Sequence, residues 1–224
     1  MPLQIQGNGG VTAEVDGTVF RAQRTTIRPI DYSTFGHYSY AGFTGILPAA
    51  LAANSEVFQF RWADATRIAV IHRIIVAAVV STTFFAAGVP VQVDLVKSTA
   101  WSVAGTGGTG ITPAALLKRR TSMGSTLMVA GDMRIATTAA LGAGTKTLET
   151  LSLAAIAAPG PITASLNGQI IAAGTRLYES ETSDGGHPLC LVQNEGFSIR
   201  SVAVPATGTW TMSVIVDWAE VSAY

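Results

Sequence analysis

The sequence predicts an all-β protein: a jelly-roll-like β-sandwich with an extended N-terminal arm and one short helix. Three observations predict it. Segments with apolar and polar residues in strict alternation recur along the chain, the period of a half-buried strand. Turn signals separate them at short intervals, among them Asp16-Gly17, Pro159-Gly160-Pro161, Asn167-Gly168 and Asp184-Gly185-Gly186. One segment, 67–80, is apolar on both faces and rich in Val and Ile, which favours a strand buried on both sides. Many short strands at turn-marked spacing mean a sandwich, a jelly roll or a barrel.

Residues 1–20 read as the arm, and 21–224 as a single sandwich domain. Gly7, Gly9, Gly10 and Gly17 exclude a stable helix in the arm, where Val11, Ala13 and Val15 alternate with Thr12, Glu14 and Asp16. A second strand is expected over 19–27, ended by Arg28-Pro29. Residues 31–45 read as a loop rich in aromatics, with Tyr32, Phe35, Tyr38, Tyr40 and Phe43. Two readings stand for that loop: a contact surface, or rings packed over the domain's edge. The Ala-rich 47–54 suggests one or two helical turns. Strands follow at 55–62, 67–80 and 89–97, and His72 shares parity with Val70 and Ile74, so it is expected to point inward. Gly105 to Gly110 reads as a flexible loop. Residues 112–119 read as the short helix, with Thr112 as N-cap and Pro113 at the first helical position. Further strands are expected at 127–135, 147–153, 170–178, 189–193, 196–204 and 209–221. The last is the clearest: Trp210, Met212, Val214, Val216 and Trp218 share one face.

The chain of 224 residues is the right size for one sizeable β domain. Only 12% of it is charged against 48% hydrophobic, about half the usual charged share. Few charges are available to cover a surface, so either Ser, Thr, Gly and Ala cover it or other subunits do. Net charge is zero, and the densest basic run is Lys118-Arg119-Arg120, so no nucleic-acid footprint is expected. A solvated turn or an inter-subunit ion pair accounts for that run. One cysteine, Cys190, cannot form an internal disulfide. The N-terminus lacks the charged and apolar regions of a signal peptide. The most apolar run, 68–80, is interrupted by His72 and Arg73 and is too short to span a membrane. A protein kept in the cytoplasm, or in a particle assembled there, is the expectation.

Catalytic, cofactor-binding and metal-binding residues are not expected. The Gly105–Gly110 segment lacks the Gly-Lys-Ser/Thr ending of a phosphate loop. His37, His72 and His187 have none of the close pair spacings of zinc ligands. Asp184, His187 and Cys190 could form a metal or thiol–imidazole site, but a turn followed by a core cysteine explains them more simply. Glu179 and Glu181 could share a face, yet a solvated acidic loop accounts for them.

The opening Gly7-Asn8-Gly9-Gly10 and Ala13-Glu14-Val15-Asp16-Gly17-Thr18, the Arg28-Pro29 followed by Asp31-Tyr32 and Gly36-His37-Tyr38, the strand Phe58-Gln59-Phe60-Arg61-Trp62, and the closing Glu195-Gly196-Phe197-Ser198-Ile199-Arg200 with Val216-Asp217-Trp218-Ala219-Glu220 together resemble small virion structural proteins of tailed bacteriophages. The resemblance implies a non-enzymatic subunit repeated by symmetry on the capsid surface or at a vertex, and supplies no catalytic residues. The chain lacks the long helix of a major capsid protein of the HK97 type, which points to an accessory, decoration-type subunit. The expected partners are further copies of the chain, as a trimer, and the major capsid protein or other virion proteins, with no nucleic acid, membrane or cofactor. The candidate contacts are Ile5, Val11 and Val15 in the arm and Tyr32, Phe35, Tyr38, Tyr40 and Phe43 in the aromatic segment. The alternative is a receptor- or carbohydrate-binding head of a spike or fibre, with Tyr32, Tyr38, Tyr40 and Trp101 stacking on sugar rings. A hydrolase of surface polysaccharide is the third reading, without a convincing carboxylate pair.

Overall fold

The computed structural model describes residues 4–6, 12–14, 36–86, 89–159, 168–180, 187–203 and 206–222. The chain divides into two compact units, Met1–Asp31 and Tyr32–Tyr224. In the first, β1 (Gln4–Gln6) pairs antiparallel with β2 (Thr12–Glu14), setting Ile5 opposite Ala13. The strand expected at 19–27 lies outside the described residues.

The second unit is two antiparallel sheets. It contains β3 (His37–Phe43), β4 (Leu47–Pro48), β5 (Ser55–Trp62), β6 (Ile68–Val80), β7 (Val91–Val103), β8 (Thr109–Gly110), β9 (Leu117–Lys118), β10 (Met133–Ile135), β11 (Thr145–Leu148), β12 (Ala154–Ala158), β13 (Gln169–Glu179), β14 (Leu189–Leu191), β15 (Glu195–Ala203) and β16 (Thr209–Val221). One sheet runs β11-β7-β15-β5-β10-β8, with β12 also on β7. The other runs β13-β6-β16-β3-β9, with β14 on β6 and β4 on β16. The chain therefore crosses between sheets repeatedly, among the long strands from β5 to β6, from β6 to β7, from β12 to β13 and from β15 to β16.

Alternation builds the core between them. Trp210, Met212, Val214, Val216 and Trp218 are all fully buried from β16, while Phe58, Phe60 and Trp62 from β5 are buried opposite. Phe60 stacks on Phe197 at 5.1 Å and meets Trp218 edge-on at 5.4 Å, tying the two sheets together through one aromatic group. Tyr40 stacks on Phe58 at 5.8 Å, a second bridge.

Several elements differ from the sequence reading. The aromatic segment is a strand rather than a loop: β3 pairs with β16 over its whole length, with Tyr40 opposite Val216 and Tyr38 opposite Trp218. Its alternation is masked by small residues, since a side chain at Gly42 would sit 2.5 Å from the Tyr40 ring. The short helix is absent. Pro113–Ala115 forms one 3-10 turn, Thr112 makes no side-chain cap, and Leu116 is already extended. Cross-strand pairing of Leu117 and Lys118 with Ser39 and Tyr38 outcompetes a helix too short to stand alone. The 47–54 segment begins as β4 against β16 instead of forming helical turns. The strands expected at 127–135 and 147–153 shrink to β10 and β11, and β12, an alanine-rich strand without β-branched enrichment, gave no signal.

The glycine loop is pinned, not flexible. Thr106 and Gly142 exchange backbone hydrogen bonds of 3.1 and 2.9 Å. Gly105 lies against the outer face of the first sheet, where a Cβ would stand 2.5 Å from the Gly142 carbonyl and inside contact of the Gln59 amide oxygen. Gly105→Ala is expected to cost about 1–3 kcal/mol by overpacking. Denaturant unfolding reads this directly, and a cost below the error of the measurement would show that the loop gives way.

Candidate contact face

The scarce charges are turned inward. Glu56, Asp94, Asp132, Asp217 and Glu220 are 5%, 3%, 4%, 2% and 0% exposed, five of the 14 acidic residues of the chain. Each has a cation beside it. Lys146 reaches Glu56 at 2.5 Å, Arg200 reaches Asp94 at 2.6 Å, Arg61 reaches Asp132 at 2.8 Å, Arg67 lies 3.6 Å from Glu220, and Arg73 and Arg119 both bind Asp217. A buried charge without such a partner is prohibitively costly, so these cations are committed to the fold.

The outer faces of the two sheets differ as a result. On the first sheet, Gln59, Ser198 and Val96 are fully buried. Glu56, Ser198 and Lys146 form a closed polar network there, and the Lys146 ammonium lies 3.8 Å from the centre of the Trp101 ring. On the second sheet, the outward residues of β3, β16 and β6 form apolar or uncharged cross-strand rows: Phe43, Ser213 and Ala77; Ala41, Ile215 and Ile75; Thr211 and Val79; on β13 the exposed Arg176 stands opposite Ile75. Phe43 is 77% and Val79 45% exposed. At the β13 margin Arg176 and Glu179 pair with each other. The rows on β3, β16 and β6 expose large apolar side chains, Phe43 and Val79, and form a candidate contact surface.

One end of this face carries the remaining polar cluster. Burial raises the Asp217 carboxyl, but hydrogen bonds from Ser39, Arg73 and Arg119 outweigh it and hold the group below its usual range. The His37 and His72 rings meet edge-on at 5.1 Å. Burial, together with the neighbouring His72 and Arg119, lowers His37 to about 4. Burial lowers His72 also, against the pull of Asp217. His72 meets His37 and Asp217 where the β6–β16 register shifts between Arg73 and Ile71, so the parity with Val70 and Ile74 that pointed it inward does not carry across that position.

A cleft of about 330 Å³ opens between the sheets, lined by Lys97, Glu149, Tyr178, His187, Cys190 and Glu195 among others. Its polar groups serve the fold: Lys97 pairs with Glu149 at 3.0 Å, Glu195 accepts the Val192 N–H at 3.0 Å, and the Tyr178 hydroxyl accepts the Leu189 N–H at 2.7 Å. Burial, with Glu195 nearby, pushes the Cys190 thiol up to about 11, so it is no thiolate at neutral pH. Among the described residues no three His, Cys, Asp or Glu side chains gather to hold a metal. None of their helices is long and apolar enough to cross a membrane.

Of the residues expected to make contacts, Phe43 stands on the apolar rows of the second sheet and Ile5 sits in β1, while Val11, Val15, Tyr32 and Phe35 lie outside the described residues. Tyr38 and Tyr40 do not present a surface: they are 0% and 7% exposed, because even positions of β3 face the core. Trp101 is likewise fully buried, so with the two tyrosines it cannot stack on a sugar. Asp184 and Glu181 also fall outside the described residues. The residues that build the face, Ala41, Ile75, Ala77, Val79, Ser213 and Ile215, were legible only as the second apolar side of β6 and the odd positions of β16. Compared with protein-family models, curated proteins and solved structures, the chain matches none.

Proposed function

We propose that the chain is a non-enzymatic structural subunit of a tailed-bacteriophage particle, a decoration-type protein that assembles as a trimer and stabilises the capsid shell by binding the major capsid protein or another virion protein. The observation that carries the reading is the pairing of buried, paired carboxylates with exposed apolar cross-strand rows on the outer face of the second sheet. A solitary soluble domain gains by placing charge outside. Here the ionic groups are spent on internal pairs, and Phe43 and Val79 are left in the open.

The strand order supports a jelly roll. With β3, β5, β6, β7, β11 and β12 together, β13, β15 and β16 taken as its eight successive positions, one sheet reads first-eighth-third-sixth (β3-β16-β6-β13) and the other second-seventh-fourth-fifth (β5-β15-β7-β11/β12). That is the double Greek-key order common in capsid domains. The N-terminal unit, with its own small hairpin, suits an arm that reaches a neighbouring subunit, since a two-stranded sheet is marginal by itself.

Two experiments test the reading. In co-sedimentation with shells of its own particle's major capsid protein, the full chain should pellet with the shells, and removing residues 1–20 should weaken binding while leaving the fold intact. Failure of the full chain to pellet would remove the shell from the proposal. Phe43→Asp puts a charge on the apolar rows of this face and should lower the oligomer's association constant by at least about tenfold, the effect of ~1.4 kcal/mol. Unchanged association, measured by analytical ultracentrifugation, would move the interface elsewhere.

A further inference from the structure

Residues 119–128 cross the polar end of the second sheet as a strap with no regular structure, held mainly by the start of β3 and the end of β16, with the Lys118 ammonium of β9 also donating to the Met123 carbonyl at 3.1 Å. The Arg119 N–H donates to the His37 carbonyl at 2.9 Å, and the His37 N–H donates to the Met123 sulfur at 3.2 Å. The Tyr38 hydroxyl donates to the Gly124 carbonyl at 3.0 Å. The Arg119 guanidinium binds Asp217. The Thr126 hydroxyl and the Leu127 N–H both donate to Glu220, which is fully buried. The strap thus covers His37 and presses a guanidinium onto the carboxylate that also serves Arg73 and lies beside His72.

We propose that residues 119–128 are an acid-released strap: protonation of His37 and His72 sets four cations, His37, His72, Arg73 and Arg119, around the single Asp217 carboxylate, and the strap lifts to let them separate and hydrate. Among the described residues, the charged groups facing the pair are these two arginines and Asp217; Glu179 lies opposite Arg73 in the β13 register but is bound to Arg176. The sign follows from the shifts. Both imidazoles titrate lower in the closed state than in water, so closure is fully favoured above about pH 6.5 and is lost as pH falls from there toward the closed-state value, about 4 for His37. Glu220 works in the opposite direction. Its carboxyl is raised, chiefly by burial, so acid favours the closed state at that one anchor. Two histidines lose the closed state's favour from the top of this window downward, whereas the opposing single carboxyl has its ordinary value of 4.5 near the window's lower end, so the histidines outweigh it. In a particle subunit, such a strap would let acidity alter one end of the contact face without unfolding the sandwich.

Amide hydrogen exchange read by mass spectrometry at pH 7 and pH 5, corrected for intrinsic rates, tests this on the full chain. Protection of peptides spanning 119–128, where the Arg119 and Leu127 amides are bonded, should fall at least about tenfold at pH 5, the effect of roughly one unit of proton linkage. Protection in β6 and β16 should hold, which separates strap release from global unfolding. His72→Arg, a permanent cation, should open the strap at pH 7. His72→Gln should remove at least half of the acid effect. Equal corrected protection at both pH values, or acid release that persists undiminished in His72→Gln, would overturn the proposal.

Discussion

Replacing Lys146 by Ala is expected to cost about 3–5 kcal/mol, the penalty for breaking a buried ion pair and stranding its partner. The Lys146 side chain is only 2% exposed. It is the only cation within ion-pair reach of Glu56 among the described residues, and its ammonium also accompanies Ser198 and the Trp101 face. Removing it leaves the Glu56 carboxylate buried with the Ser198 hydroxyl and the Gln59 amide alone. The companion double variant Lys146→Met with Glu56→Leu leaves no charge behind and should recover most of the loss, because well-packed apolar replacements of buried pairs are close to neutral. Chemical denaturation of the three proteins decides it. A single-variant cost under ~1 kcal/mol would show that water reaches the network and that the loop covering the first sheet does not seal it.

Phe60→Ala should cost a similar amount, about 3–5 kcal/mol, for a different reason. Phe60 is fully buried, stacks on Phe197 with an interplanar angle of 12° and meets Trp218 at 81°. It joins the two sheets, so its removal opens a cavity in the middle of the sandwich that neither rigid sheet can close. Phe60→Leu keeps much of the volume and should lose less than half as much. If alanine costs no more than leucine, the sheets collapse into the gap and the aromatic group does not set their spacing.

The long strands were legible because their signals are redundant. β16 was read with both its ends in place, since five large apolar residues share one face and Thr211, Ser213, Ile215 and Asp217 the other. β5 was legible from its alternation, and β6 from a Val- and Ile-rich run apolar on both faces. What was hidden depends on distant partners. β3 looks like a glycine-rich loop until β16 is laid beside it, when Tyr38 and Tyr40 become core residues. Gly105 to Gly110 has the composition of a flexible linker, and only the approach of Gly142 and Gln59 makes its glycines a requirement of packing. The helix expected at 112–119 had correct end signals, but local propensity yielded to pairing with β3. The contact face was half visible: apolar residues on both sides of β6 suggested a subunit seam, while the low charge content gave no hint that the carboxylates themselves lie inside. Pairs such as Asp217 with Arg119 are 98 residues apart in sequence, and no spacing rule reaches that far.

The account stands most directly on the mass of the purified chain in solution, measured by light scattering coupled to size exclusion at micromolar concentration. Association through the apolar rows around Phe43 and Val79 predicts a closed trimer, three times the 23.2 kDa of one chain. A monodisperse species of one chain's mass, with Phe43 and Val79 left in water, would contradict it.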